Sequence, residues 1–357
     1  MLVSPTAMAF GAAVTLPQSM RRISSTSKHA SSPTRIALQR AGCVLALRAV
    51  YAAPRRKSGT SRSFPVTEED RQRCSTDVQL DFERQGFLKV PAILKEEEMA
   101  TLSRAIEELQ SSEKCALSAL QHQVRVQFGA VAASQCTTLA ACRKKLAALE
   151  KRGEVSFLQY FNLHRLSEEL RRIAMSPRFS FWATRLLGVP RVRLYQDALF
   201  VKRPGDGATD WHSDLGLAPF DTNSFLTFWL PLTAVPPRGG SSLVYAIGSH
   251  RDFALPFHGD LDEDLTGRYK LWRTGSILPG DASIHHGWTL HSAAAAPSSG
   301  PLRVAWTLGF VADGARLHGA RGGPAEDAVS YEPWIGDCGR GAVVDHPMVP
   351  LLPLVDD

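Results

Sequence analysis

From Arg191 onward the chain reads as short extended runs: RLYQDALFVKR at 193–203, SFLTFWLPL at 224–232, SSLVYAI at 241–247, GSILPGDASIHH at 275–286 and LRVAWTLGFV at 302–311. Gly, Pro, Ser and Asp separate them. Several short runs at modest spacing, bounded by turn formers, predict strands of an all-β sandwich or barrel.

Ahead of these runs the pattern is helical. VQLDFERQGFLKV at 78–90 predicts a short helix ended by Gly86 and an extended piece running into Pro91. Between Lys95 and Gln110, the residues Met99, Leu102, Ile106 and Leu109 recur at +3, +4 and +3, and Glu96, Glu97 and Glu98 crowd the first turn, where the helix dipole favours acids. Two more helices are expected between Leu163 and Leu187, the second with Ser176 as N-cap, Pro177 as its first residue and Gly188 as its end. Residues 113–153, rich in Ala, Gln and Lys, predict a helical insertion or cap. The body, residues 65–357, is thus expected to be one domain, mostly β with flanking α-helices.

Composition narrows the function. The 357 residues are 44% hydrophobic and 21% charged, which excludes a collagenous, disordered or membrane-spanning chain. A domain of this size buries enough surface to fold without disulfides or a structural metal. The net charge of +6 invites a nucleic-acid reading until its position is considered. No acid precedes Glu68, while ten bases do, from Arg21 to Arg62; the remainder carries 31 bases against 35 acids. A basic leader on a mildly acidic body excludes a general nucleic-acid footprint. Residues 1–64, rich in Ser, Ala and Arg, predict an organellar transit peptide, for a chloroplast or mitochondrion, or else a disordered leader. No run of 18 apolar residues occurs, so no transmembrane helix is expected. Cys43, Cys74, Cys115, Cys136, Cys142 and Cys338 are scattered without a C-x-x-C pair and spell neither a zinc site nor a disulfide framework.

The chemistry gathers around three residues. WHSD at 211–214 places His212 and Asp214 at i and i+2, on one face of a strand or its immediate end. Far downstream, WTLH at 288–291 offers His291 at the start of another extended segment. Two imidazoles and one carboxylate on one face of a metal leave the opposite face open, the arrangement that suits non-haem Fe(II). Twelve residues on, Arg303 shares a strand face with Ala305 and Thr307. A buried arginine is costly unless paired, and a dicarboxylate co-substrate would pair it bidentately.

With these residues in place the chain resembles the phytanoyl-CoA dioxygenase family of Fe(II)- and 2-oxoglutarate-dependent oxygenases. The resemblance runs over roughly residues 78–350, on DFERQGFLKVPAIL, LYQDALFVKRPG, WHSD, FWLPLTAV, GSSLVYAIGSH, HHGWTLHSA, the arginine of GPLRVAW and the tail SYEPWIGDCGRGAVVDHPMVPLLP. It implies a double-stranded β-helix, a jelly roll with helices outside. It implies His212, Asp214 and His291 as ligands of Fe(II), and Arg303 as the partner of the distal carboxylate of 2-oxoglutarate. Lys202 and Trp229 match positions lining the co-substrate pocket, with Gln196 near it. Where the family has Gly-Ser and then Asn-x-Ser after the distal histidine, this chain has Ser292-Ala293-Ala294, leaving Ser292 as the candidate hydroxyl.

The implied reaction is hydroxylation of a C–H bond in a small-molecule or lipid/acyl substrate, using O2 and releasing succinate and CO2, with ascorbate as a stimulant. Asp214 stands where halogenating relatives carry a small residue, which favours hydroxylation. No protein partner is expected. The rival readings are a barrel that keeps the triad without catalysis and a zinc enzyme on the same triad, which would have no use for Arg303. At single positions the alternatives are an ion pair of Arg303 with Asp197 or Asp281, a surface role for Lys202, a core role for Trp229, and His285 or His286 in place of His291.

Overall fold

A computed structural model of the protein describes residues 64–152, 157–253, 265–318, 334–339 and 341–355. The leader expected over 1–64 lies outside them, Phe64 excepted. Thr67 and Asp70 cap each other at the start of α1 (Glu68–Arg73). α2 (Thr76–Gln85) ends on Gly86, whose φ of 85° is the left-handed conformation that glycine adopts without penalty, and β1 (Phe87–Val90) follows. α3 (Glu96–Gln110) carries its three acids in the first turn as expected. The predicted insertion is helical: α4 (Glu113–Gln135) and α5 (Leu139–Arg152), α4 being broken at Gly129 by a φ of 84°. After β2 (Leu158–Phe161) come α6 (Glu168–Ala174) and α7 (Pro177–Leu187), the latter with Pro177 at its start and a left-handed Gly188 at its end.

Each of the five extended runs yields a strand, the fourth only in part. β3 (Val192–Lys202), β6 (Phe225–Pro231), β9 (Ala282–His286) and β11 (Arg303–Ala312) join β1 and β2 in one antiparallel sheet, in the order β1-β9-β6-β11-β3-β2. The Leu278–Asp281 turn cuts the fourth run: the Asp281 carboxylate accepts from the Leu278 N–H at 3.0 Å, and the strand begins only at Ala282. A second antiparallel sheet runs β4 (Thr209–His212), β10 (His291–Ala293), β7 (Leu243–Ala246), β8 (Leu271–Arg273), and β5 (Phe220–Asp221) pairs with β12 (Arg316–Leu317). Two antiparallel sheets, not closed into a barrel and flanked by helices, make the expected jelly roll.

Alternation along β11 divides the interior. Val304, Trp306, Leu308 and Phe310 pack into the main core with the residues of α3, α6 and α7. Arg303, Thr307 and Gly309 line a cavity on the other face. In β3 the register shifts by one residue, Gly309 facing Gln196 and Phe310 facing Leu194. That bulge lets both Tyr195 and Gln196 line the cavity. Asp197 is fully buried on the other face, accepting from the Trp306 indole at 2.9 Å and pairing with the His164 imidazole.

Candidate metal centre and co-substrate pocket

His212 ends β4 and His291 opens β10, and the two are Cα partners in the antiparallel ladder. Ser213 then turns the chain into α8 (Asp214–Leu217), whose first residue carries the carboxylate. The Nε2 atoms of His212 and His291 lie 3.5 and 3.6 Å from Asp214 Oδ1. Ligand atoms of all three residues fall within 4.8 Å of one another, the one such His, Cys, Asp or Glu group found among the described residues.

Backbone carbonyls fix the direction of each imidazole. His212 Nδ1 donates to Asp210 O at 2.8 Å, and His291 Nδ1 donates to Thr289 O at 3.0 Å. Each ring therefore commits its N–H to a carbonyl two residues earlier and turns the Nε2 lone pair toward the centre. Burial, reinforced by His212 and His285 alongside, pushes the His291 pKa well below its ordinary value. Burial alone would raise the Asp214 pKa, but the surrounding histidines hold the carboxyl well below the usual range.

The other carboxylate oxygen is held from behind. Asp214 Oδ2 accepts from Thr227 Oγ1 at 2.6 Å and from His285 Nε2 at 2.9 Å. Tyr245 OH lies 3.2 Å from His285 Nδ1 and 2.8 Å from Ser283 Oγ. With its proton on Nε2, His285 accepts at Nδ1 from the tyrosine, and the tyrosine accepts from the serine. His285 is thus a support of Asp214 rather than a rival of His291. His286 points elsewhere, its ring 5.0 Å from that of His250. Sequence reasoning missed Thr227, Tyr245 and Ser283. Polar residues in otherwise apolar strands were their only signal.

Of the residues expected at the co-substrate, Arg303, Lys202 and Trp229 come together, while Gln196 faces Gly309 six residues along β3 from Lys202. Arg303 and Lys202 are Cα partners across β11 and β3, 4% and 0% exposed. Neither a surface role for Lys202 nor an ion pair of Arg303 with Asp197 holds. Asp281 serves the Leu278 and Ala92 N–H groups instead. Among the described residues no carboxylate pairs with Arg303. Its Nη1 donates to Ser241 O at 2.7 Å, its Nε is buried without a partner, and its guanidinium lies 5.7 Å from the Trp229 ring centroid. Lys202 Nζ donates to Ser241 Oγ and Ala294 O, both at 3.2 Å. Burial, with Arg303 beside it, lowers the Lys202 pKa to about 7, and burial lowers Arg303 to about 10. Trp229 is core and cavity wall at once, and Gln196 and Ser292 also line the cavity.

The family model for phytanoyl-CoA dioxygenase matches residues 82–305, which takes in every one of these side chains. The chain belongs to the phytanoyl-CoA dioxygenase family. No curated protein matches it by sequence. Solved structures share the family's fold with it. The non-haem α-ketoglutarate-dependent carbocyclase SnoK from nogalamycin biosynthesis is 22% identical, with 81% of this chain and 100% of that chain covered and a TM-score of 0.59. The α-ketoglutarate-dependent epimerase SnoN from nogalamycin biosynthesis is 23% identical, covering 78% and 97%, with a TM-score of 0.57. EctD from S. alaskensis, solved with 2-oxoglutarate and 5-hydroxyectoine, is 19% identical, covering 82% and 94%, with a TM-score of 0.52. No helix among the described residues is long and apolar enough to cross a membrane.

Proposed function

We propose that this protein is an Fe(II)- and 2-oxoglutarate-dependent dioxygenase that hydroxylates a C–H bond of a small-molecule substrate. The observation that carries the reading is the convergence of His212 Nε2, His291 Nε2 and Asp214 Oδ1, with both Nδ1 protons committed to backbone carbonyls. Two imidazole nitrogen donors and one carboxylate suit Fe(II), and three protein ligands leave coordination positions open. The orphaned Arg303 Nε in a buried, carboxylate-free setting suits a dicarboxylate. When bound, iron and 2-oxoglutarate supply the oxidising chemistry, coupling reduction of O2 to release of succinate and CO2.

The chain's own residues supply position and dryness. His212, Asp214 and His291 would hold the metal. Arg303, oriented by Ser241 O and Trp229, would grip the distal carboxylate of 2-oxoglutarate, with Lys202 beside it and Ser292 on the same cavity. Thr227 and His285 would keep Asp214 Oδ2 occupied so that Oδ1 faces the metal.

The test is succinate release from 2-oxoglutarate by anaerobically purified protein given Fe(II), ascorbate and O2, beside a His212→Ala variant, with metal and 2-oxoglutarate binding measured on both. Iron-dependent succinate from the parent alone supports the reading. A parent that binds neither Fe(II) nor 2-oxoglutarate sinks it.

A further inference from the structure

The cavity extends beyond the triad and Arg303, and its outer wall has no part in holding metal or co-substrate. From that wall we infer that the protein selects a compact, uncharged, ring-bearing substrate with a hydrogen-bonding group, and that an acyl-CoA is not its substrate. The inference rests on the oxygenase reading for the reaction, but not for the binding.

The wall is built from β2 and β3. Phe157 and Phe161 line the cavity with Phe200 of β3, and the Phe200 ring meets them nearly edge-on, at centroid distances of 6.0 and 6.4 Å. Such an array leaves ring edges and faces for another ring. Leu217 adds an apolar rim, 48% exposed although it lines the same cavity. Between Phe157, which precedes β2, and Phe161 stands Gln159, opposite Phe200 in the ladder. The side-chain amides of Gln159 and Gln196 are half-buried, face the cavity and bond to no protein group among the described residues. They are neutral groups able to donate and accept, suited to a hydroxyl or carbonyl.

Charge excludes the alternative. Apart from the histidines, Arg303 is the only cationic side chain among the described lining residues, and the co-substrate would use it. The remaining charge beside the triad is Asp210, exposed and negative. The phosphates of coenzyme A require cations; of the arginines beside β3, Arg193 pairs with Asp313 and Asp345, Arg203 pairs with Asp206, and Arg191, its Nε buried, lines no part of the cavity. The cavity volume of about 360 Å³ lies near the lower end of the ligand-site range, and co-substrate and substrate must share it.

The experiment is calorimetric titration of the full chain, metal-free and again anaerobically with Fe(II) and 2-oxoglutarate, using 2-naphthol and coumarin as neutral ring probes and palmitoyl-CoA as the contrast. At least one ring probe is expected to bind both forms, and palmitoyl-CoA neither at the same concentrations. Phe161→Asp should weaken ring binding at least tenfold and Gln159→Leu about fivefold, with Fe(II) and 2-oxoglutarate affinities unchanged. Should Phe161→Asp fail to fold, Gln159→Leu on the half-exposed strand carries the test. Palmitoyl-CoA binding as tightly as the ring probes, no ring probe binding at all, or variants that bind like the parent would each overturn the inference. Ring binding by a parent that takes up no Fe(II) would leave this inference standing and remove the oxygenase reading alone.

Discussion

At the residue scale the proposed metal site depends on a side chain that never offers it a ligand atom. His285 Nε2 fixes Asp214 Oδ2 at 2.9 Å, and Tyr245 fixes the tautomer that makes the donation possible. Loss of a support of this kind costs about 10–100-fold in metal affinity. His285→Ala is therefore expected to weaken Co(II) or Fe(II) binding by that order, and His285→Gln, which restores an N–H donor, to recover part of it. Titration of the metal spectrum measures both, and equal affinity in His285→Ala and parent would refute the supporting role. Arg303→Lys tests the other end. An ammonium keeps the charge but loses the planar fork, so 2-oxoglutarate affinity should fall by the order of tenfold with metal binding intact, as read by calorimetry.

At the scale of elements, Gly86 joins three parts of the site's frame. It ends α2 in the left-handed region, its carbonyl accepts from the His286 N–H at 2.9 Å and from Thr289 Oγ1 at 2.7 Å, and a Cβ there would lie 2.4 Å from Thr289 Oγ1 and 2.5 Å from His250 Nδ1. Gly86→Ala is expected to cost about 1–2 kcal/mol from backbone conformation alone, with the clash added, and denaturant unfolding gives the total. Thr289 also supplies the carbonyl that orients His291, so metal affinity should fall with stability. The sequence made the helix end at Gly86 legible, along with the strand runs and the i, i+2 placement of His212 and Asp214, because each is a local pattern. Thr227 on β6 and Ser283 and His285 on β9 were not legible, since their meaning depends on which strand lies beside which. β6 and β9 pair through the register Thr227 to His285, a contact between residues 58 apart in the chain that no local spacing announces. The bulge that turns both Tyr195 and Gln196 inward was hidden for the same reason.

At the scale of the molecule, half-buried histidines set a limit on acid stability. Burial, then the charge of Arg125, lowers His122 to about 4; burial, then His250, lowers His286 to about 4. Both bind a proton more readily in the unfolded chain, near 6.5, than in the folded one. Their contribution is thus full above 6.5 and is lost as pH falls from there through 4. Urea unfolding of the metal-free protein should show stability declining across that window, and the double variant His122→Gln, His286→Gln should flatten the decline; an unchanged slope would count against it. His122 belongs to the insertion, whose α4 and α5 pack Leu120, Val124 and Leu146 against Leu158 of β2, and its ring sits 4.6 Å from that of Phe161. None of the metal or co-substrate residues lies in the insertion or on β2. Change in that segment would therefore alter what the proposed enzyme accepts and leave the residues assigned to metal and co-substrate untouched.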